Sequence, residues 1–157
     1  MADGALASGT TESFSEAAEI ARLMGLPSWR EMSSLSLVNQ IEQGLPLQAV
    51  DRVAQVMAPD DPHAKFTLLS RSTWSRLQKR PRQQLTREMS ERVHGVARVV
   101  LEARKLWADD ESAMVRFLNR PHLLLGGRTP LDVARESTTG ADLVVRIIGE
   151  ARAGVAV

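Results

Sequence analysis

The chain has 157 residues, of which 43% are apolar and 25% are charged, with a net charge of +1 and no cysteine. This composition is ordinary for one globular domain or two small ones, and it excludes wholesale disorder. The lack of cysteine excludes disulfides, thiolate nucleophiles and cysteine-ligated zinc. No apolar run approaches the about 18 residues of a membrane span, and the chain does not start like a signal peptide, so we expect a cytoplasmic protein.

The small net charge hides an uneven distribution along the chain. Residues 1–64 carry nine acidic and three basic residues, whereas residues 65–87 carry seven basic residues and no acidic one. Residues 88–157 carry ten of each. Because a basic stretch attracts phosphates locally even in a nearly neutral protein, the total charge does not exclude a nucleic-acid partner.

The N-terminal part predicts a tail followed by two short helices. Residues 1–12 are small and polar, which predicts a flexible tail. Ser13 and Glu16 have capping-box spacing and open a helix that stops at Gly25. A second helix is predicted over about 35–43, with Gly44 as its stop. Its expected inward-facing residues are Leu37, Val38 and Ile41.

Three further short helices, joined by tight turns, follow. Pro46 opens the first. Its apolar stripe consists of Leu47, Val50, Val53, Ala54 and Met57. Asp61-Pro62 caps the second, which extends to about Leu69. After a polar break at residues 70–72, the third runs over about 73–79 and is basic. Such a series is typical of a helix-turn-helix.

The C-terminal half also predicts helices only. The longest begins at an N-cap, Thr86, and extends to about Trp107. Its apolar stripe consists of Met89, Val93, Val96, Val100, Ala103 and Trp107. Asp109-Asp110 and Thr129-Pro130 cap the next two helices, and a final helix starts near Gly140. Its buried positions are expected to be Leu143, Val144, Ile147, Ile148 and Ala151. Since no segment alternates with period two, the fold class is all-α.

The basic third helix is the candidate DNA-binding element. Short polar and arginine side chains in its first turns suit base edges in the major groove, and the flanking cations suit phosphates. The candidate residues are Arg71, Ser72, Thr73, Trp74, Arg76, Lys79, Arg80 and Arg82. The alternative is a solvated basic face without a ligand. Trp74 either packs on the preceding helix or contacts a thymine methyl group.

No residue pattern predicts catalysis, a metal or a cofactor. His63, His94 and His122 lie far apart in sequence, and no other ligand stands at metal-binding spacing. No phosphate loop or nucleophile elbow occurs. The segment 126–129 precedes a helix and is interpreted as a turn plus a cap rather than as an anion site. We therefore expect a protein that is not an enzyme.

The segment 117–132 contains three consecutive leucines within a connection rich in proline and glycine. Leu123, Leu124 and Leu125 must either enter the core or be presented to a partner. From the residues alone, burial is the preferred interpretation.

This segment resembles the C-terminal toxin-binding segment of the Xre/MbcA/ParS-type antitoxins. The matching residues are Phe117-Leu118, Pro121, Leu125-Gly126-Gly127, Thr129-Pro130-Leu131-Asp132, Gly140-Ala141, Val144 and Gly154. The departures from the family pattern are Phe117 for Trp, His122 for Asn and Ser137 for Thr. Upstream, residues 44–46, 71–76 and 85–92 resemble the helix-turn-helix and long helix of the same family. The resemblance spans roughly residues 35–157.

The resemblance implies the antitoxin of a type II toxin–antitoxin pair, without enzyme activity or cofactor. Its partner would be a RES-domain toxin that consumes NAD⁺ by phosphorolysis, hydrolysis or ADP-ribosyl transfer. The chain would cover the toxin's active site and repress its own operon by binding operator DNA, as a homodimer within a larger complex. The implied toxin-binding residues are Arg120, Pro121, His122, Leu125, Gly126, Gly127, Arg128, Thr138, Thr139, Gly140 and Arg152.

The expected domain organisation follows the same division. A tail at residues 1–12 precedes an N-terminal helix-turn-helix domain at residues 13–86. A connecting helix at residues 87–107 leads to a toxin-binding domain at residues 108–157. The alternatives are a dimeric helix-turn-helix regulator without a toxin partner, and an adaptor whose basic patch has no ligand.

Overall fold

A computed structural model describes residues 13–108 and 110–154. The helices are α1 (Glu16–Leu23), α2 (Ser34–Gln43), α3 (Gln48–Met57), α4 (Lys65–Leu68), α5 (Arg71–Gln78), α6 (Arg87–Trp107), α7 (Glu111–Leu118), α8 (Pro130–Glu136) and α9 (Thr138–Arg152). Short 3₁₀ turns occupy Trp29–Glu31 and Leu123–Leu125. The described residues contain no strand, which confirms the all-α class. The predicted tail at residues 1–12 and the cap at Asp109 lie outside the described residues.

Side-chain caps decide where most helices begin. The predicted caps Thr86, Asp110 and Thr129 are confirmed, because each side chain accepts a hydrogen bond from the backbone amide three residues later. The predicted cap Ser13 is wrong. Ser15 caps α1 instead, because its hydroxyl accepts from the Ala18 amide (3.1 Å) and donates to the Met32 carbonyl (3.2 Å).

Other predicted boundaries are also shifted, two of them by side-chain caps. Ser70 caps α5, so the supposed polar break belongs to the first turn of that helix. Ser137 caps α9, which therefore begins two residues before Gly140. The carboxylate of Asp61 accepts from the His63 amide and makes a turn, so α4 is shorter than predicted. Likewise, Pro46 lies outside α3, because it pairs with Gln84 in an isolated bridge.

Helix α6 is the centre of the molecule. Val93, Val96, Val100 and Ala103 of its predicted stripe are fully buried, as predicted. Helices α7, α8 and α9 and helices α1, α2 and α3 all pack on α6. Each buried valine contributes about 1.5–3 kcal/mol relative to an exposed one. The two halves of the chain therefore share one hydrophobic core across this helix.

A hydrogen-bonded clamp closes the segment from α3 to α5 onto the start of α6. The amide of Leu47 donates to the Gln83 carbonyl (2.7 Å), and the amide of Leu85 donates to the Leu45 carbonyl (2.8 Å). The fully buried Ser90 hydroxyl accepts from the Leu45 amide (2.8 Å) and donates to the Thr86 carbonyl (2.8 Å). These bonds fix the helix-turn-helix segment against α6.

Burial, and after it the neighbouring Arg98, lower the pKa of His94 on α6 to about 4, while Asp142 and Glu91 oppose the shift. Its ordinary pKa is 6.5. Between these values the unfolded chain binds more protons, so stability should fall as the pH falls. We expect a loss of about 1 kcal/mol in the free energy of unfolding between roughly pH 7 and pH 5.5.

Urea unfolding measured across this pH range tests the expectation. His94→Gln has no imidazole to titrate, so its stability should change less between the two pH values. If the wild-type chain and this variant lose equal stability, His94 is not the responsible group.

Candidate functional site

Five of the seven basic residues in the stretch 65–87 form no salt bridge with a carboxylate of the described residues. They are Arg71, Arg76, Lys79, Arg80 and Arg82, all exposed. The other two have internal partners. Lys65 lies 3.4 Å from the Asp51 carboxylate, and Arg87 lies 3.2 Å from that of Glu91. The cations on α5 and in the turn after it are therefore available for phosphates.

The first turn of α5 is held against α4 by aromatic contacts. Trp74 is only 7% exposed, and its ring meets the edge of Phe66 at 6.4 Å. Trp74 therefore packs on the preceding helix, the first of its two alternatives, and has no surface to offer a base. The Arg71 guanidinium lies 4.1 Å over the Phe66 ring. Ser72 is exposed and Thr73 half-buried beside it.

A basic groove follows at the C-terminal end of α5. Arg76, Arg80 and Arg82 line an open cavity of about 590 Å³, with Leu77 and Leu85 as its buried apolar wall. Three guanidinium groups around one depression concentrate positive potential there. The structure thus brings together the candidates of the C-terminal half of α5, with Lys79 at its C-cap.

The loop 120–128 is closed by its own backbone. The His122 amide donates to the Arg128 carbonyl (3.0 Å), and the Gly127 amide donates to the His122 carbonyl (3.0 Å). Gly126 and Gly127 have φ of +64° and +81°, and a Cβ on either would meet nothing within 4 Å. Their backbone conformation, rather than crowding, requires glycine. The loop therefore has a defined shape before any partner arrives.

The three leucines of this loop face different directions. Leu125 is 8% exposed and enters the core, whereas Leu123 is 94% and Leu124 52% exposed. The preferred interpretation, burial of all three, is therefore wrong for two of them. Since consecutive residues of a 3₁₀ turn point about 120° apart, three adjacent leucines cannot all face the core. The exposure of Leu123 and Leu124 fits the other interpretation, presentation to a partner, although the toxin-binding residues implied by the resemblance did not include them.

Aromatic stacking supports the base of the loop. The rings of Trp107 and Phe117 are 4.6 Å apart, and the His122 ring meets Phe117 edge-on at 6.2 Å. These rings, with Arg120 and Pro121, surround a shallow pocket of about 250 Å³. Phe117 therefore packs between the end of α6 and the loop.

The Arg128 guanidinium connects the loop to the end of α8. Its two terminal nitrogens lie 2.8 and 2.9 Å from the two carboxylate oxygens of Glu136. This hydrogen bonding raises the pKa of Arg128. The side chain is consequently oriented along α8, although it is exposed to solvent.

The remaining candidates on α9 do not form one surface with each other. Thr138 and Thr139 are exposed at its N-terminus, while Arg152 lies about 20 Å away at its other end. The Arg152 guanidinium binds the Glu102 carboxylate of α6 at 2.7 Å. A Cβ on Gly140 would overlap the Val133 carbonyl. Within the chain, Gly140 thus allows α8 and α9 to pack closely, and Arg152 forms an ion pair with α6.

Two observations bear on other classes of protein. The described residues contain no group of three side chains that could hold a metal ion. None of the described helices combines the length and the apolar character that crossing a membrane requires.

Comparison with protein families finds two adjacent matches. The model of the antitoxin Xre-like helix-turn-helix domain matches residues 36–98. The model of the antitoxin Xre/MbcA/ParS C-terminal toxin-binding domain matches residues 102–154. No curated protein matches the chain. The helix-turn-helix match contains the basic groove, and the toxin-binding match contains the closed loop and α9. The chain therefore belongs to the Xre-type antitoxins, with a helix-turn-helix domain followed by a toxin-binding domain.

Proposed function

We propose that this antitoxin neutralises a RES-domain toxin that degrades NAD⁺, by laying the loop 120–128 over the toxin's active site. It acts without catalysis of its own, in the cytoplasm, and as a homodimer it represses its own operon through α5. The observation that carries the proposal is the pair of exposed leucines on a closed loop within the segment that matches a toxin-binding domain. The proposed division places DNA binding in residues 13–86 and toxin binding in residues 108–157, joined by α6.

The loop has the composition of a protein–protein contact. Leu123 and Leu124 supply apolar area, and Arg120 and the ion pair of Arg128 with Glu136 flank them as polar groups. Interfaces combine an apolar centre with a polar rim, and a preformed loop loses little entropy on binding. Pro121 restricts the loop backbone, and the glycines at 126 and 127 permit the left-handed conformations that this shape requires. Thr138 and Thr139, exposed at the start of α9, extend the proposed contact.

Co-expression tests the antitoxin function. The gene beside this one is expressed alone and together with the full-length chain, and intracellular NAD⁺ and growth are measured. We expect the neighbouring protein alone to deplete NAD⁺ and stop growth, and the pair to restore both. Growth arrest with normal NAD⁺ would contradict the RES assignment. A harmless neighbour would favour a regulator without a toxin partner.

The cations at the C-terminal end of α5 should carry operator binding. Replacing Arg76 and Lys79 by alanine is expected to weaken binding to operator DNA, because each substitution removes an exposed positive charge from this end of α5. Removal of one phosphate contact should flatten the slope of log affinity against log salt by roughly 0.9. Removal of a base contact would relax sequence preference instead. Binding is measured by fluorescence anisotropy at several salt concentrations.

Arg146→Ala is the matched control, since Arg146 is an exposed arginine on α9, outside the helix-turn-helix match. It should bind operator DNA as the wild-type chain does. Unchanged affinity and slope in the Arg76/Lys79 variant would rule out this face.

A further inference from the structure

A cavity of about 570 Å³ opens among α1, α3 and α6. None of its lining residues belongs to the basic groove or to the loop 120–128. One arginine from each helix lines it: Arg22, Arg52 and Arg104. Some of its lining residues, including Arg22, lie before residue 36, where the first family match begins. Neither proposed binding function uses this cavity.

The positive charge of the cavity is not compensated within the described part of the chain. None of the three guanidinium groups forms a salt bridge with a carboxylate there. Glu19 also lines the cavity, but its carboxylate lies 3.8 Å from the ammonium group of Lys105. Like charges brought together repel one another, so an anion that bridges them would stabilise the fold.

The surrounding structure orients two of these arginines. The Arg22 guanidinium lies 5.0 Å from the centre of the Trp29 ring, at cation–π distance. The Arg52 side chain packs against Gly25. The two are so close that a Cβ added to Gly25 would lie only 2.8 Å from Nε of Arg52. Part of the ordering that a ligand would require is therefore already present.

The cavity also has an apolar wall. Leu23 and Leu101 are buried beneath it, and the half-buried Val56 lies beside them. Its volume falls within the roughly 300–1,000 Å³ usual for small-molecule sites. Guanidinium groups match phosphate oxygens with paired hydrogen bonds. A cationic rim over an apolar wall suits an anion that carries an apolar ring.

We propose that this cavity binds a small organic phosphate of nucleotide size. Its phosphate oxygens contact Arg22, Arg52 and Arg104, and its ring lies against Leu23, Val56 and Leu101. The site joins α1 and α3 to α6, so its occupancy stabilises the packing of these two helices on α6.

Calorimetric titration of the full-length chain with ADP and with inorganic pyrophosphate, at constant ionic strength and without divalent cations, tests the proposal. ADP should bind several-fold more tightly than pyrophosphate, because only ADP carries a ring for the apolar wall. Arg52→Gln and Arg104→Gln should each weaken ADP binding by about tenfold or more. ADP should also raise the melting temperature of the wild-type chain and not that of the double variant that carries both Arg52→Gln and Arg104→Gln.

Arg92→Gln provides the control, because Arg92 is an exposed arginine of α6 that does not line the cavity. Its ADP affinity should equal that of the wild-type chain. The proposal is overturned if millimolar ADP does not bind the wild-type chain, or if the double variant binds it equally well. Equal affinity for ADP and pyrophosphate would refute the role of the apolar wall, and equal weakening in Arg92→Gln would refute a localised site.

Discussion

Replacing Leu123 and Leu124 together by alanine is expected to abolish neutralisation of the toxin while leaving the fold intact. Both side chains are exposed in the free chain, so their truncation removes no core contact. When they are buried in a complex, the two leucine side chains together would contribute about 3 kcal/mol to the free energy of binding, which corresponds to roughly 150-fold in affinity. The measurement is the dissociation constant for the purified toxin, alongside growth of cells that express both proteins.

Leu35→Ala is the matched control, since Leu35 is 69% exposed on α2 and precedes both family matches. It should leave affinity for the toxin unchanged. Both variants should melt at the wild-type temperature. If the Leu123/Leu124 variant binds the toxin with wild-type affinity, the loop 120–128 is not the contact, and the partner must bind elsewhere on α7 to α9.

Gly44→Ala should cause a large loss of stability for the addition of a single methyl group. Gly44 has φ of +105°, which L side chains rarely adopt, and a Cβ there would overlap the Leu85 carbonyl oxygen. Neither problem can be relieved without opening the clamp between residues 45–47 and 83–85. We expect a loss of about 3 kcal/mol or more. The melting temperature should fall by about 6–12 °C.

Gly149→Ala separates this effect from the general consequence of adding a methyl group. Gly149 lies within α9, and a Cβ there meets nothing within 4 Å. Alanine should stabilise the helix by about 0.5–1 kcal/mol. The melting temperature should thus fall in Gly44→Ala and rise in Gly149→Ala. A Gly44→Ala protein as stable as the wild-type chain would show that the clamp tolerates displacement.

Local chemistry made most of the fold predictable. The caps Thr86, Asp110 and Thr129 and the apolar stripe of α6 depend on residues a few positions apart, which the sequence displays directly. The shifted starts of α1 and α5 had another serine nearby that makes the better cap. Val38, expected to face inward, is 48% exposed, whereas Leu37 and Ile41 of the same helix are buried. That choice depends on tertiary packing and not on helical period.

The location of the candidate site could also be predicted from the sequence, but the contacts of its residues could not. Charge counted by segment located the basic groove, but the partner of Lys65 is Asp51, and that contact depends on the packing of α4 on α3. The partner of Arg87, Glu91, lies only one helical turn away. Trp74 and Gly140 match binding motifs in sequence and serve packing in the structure. Leu123 and Leu124 are the opposite case: as leucines they were expected in the core, but the conformation of the turn leaves them exposed. Sequence identifies which residues can bind, and packing decides which of them face outward.

The buried bond between Ser90 and Leu45 sets an order of events during synthesis. A ribosome that has released only the first 86 residues has not yet released the hydroxyl that accepts the Leu45 amide. Before Ser90 is released, the Leu45 amide would have no hydrogen-bond acceptor if it were buried as in the folded chain. A buried amide without an acceptor reduces stability by about 1–3 kcal/mol. We therefore expect the helix-turn-helix half to complete its folding only as α6 emerges, which is also the helix on which the toxin-binding half packs.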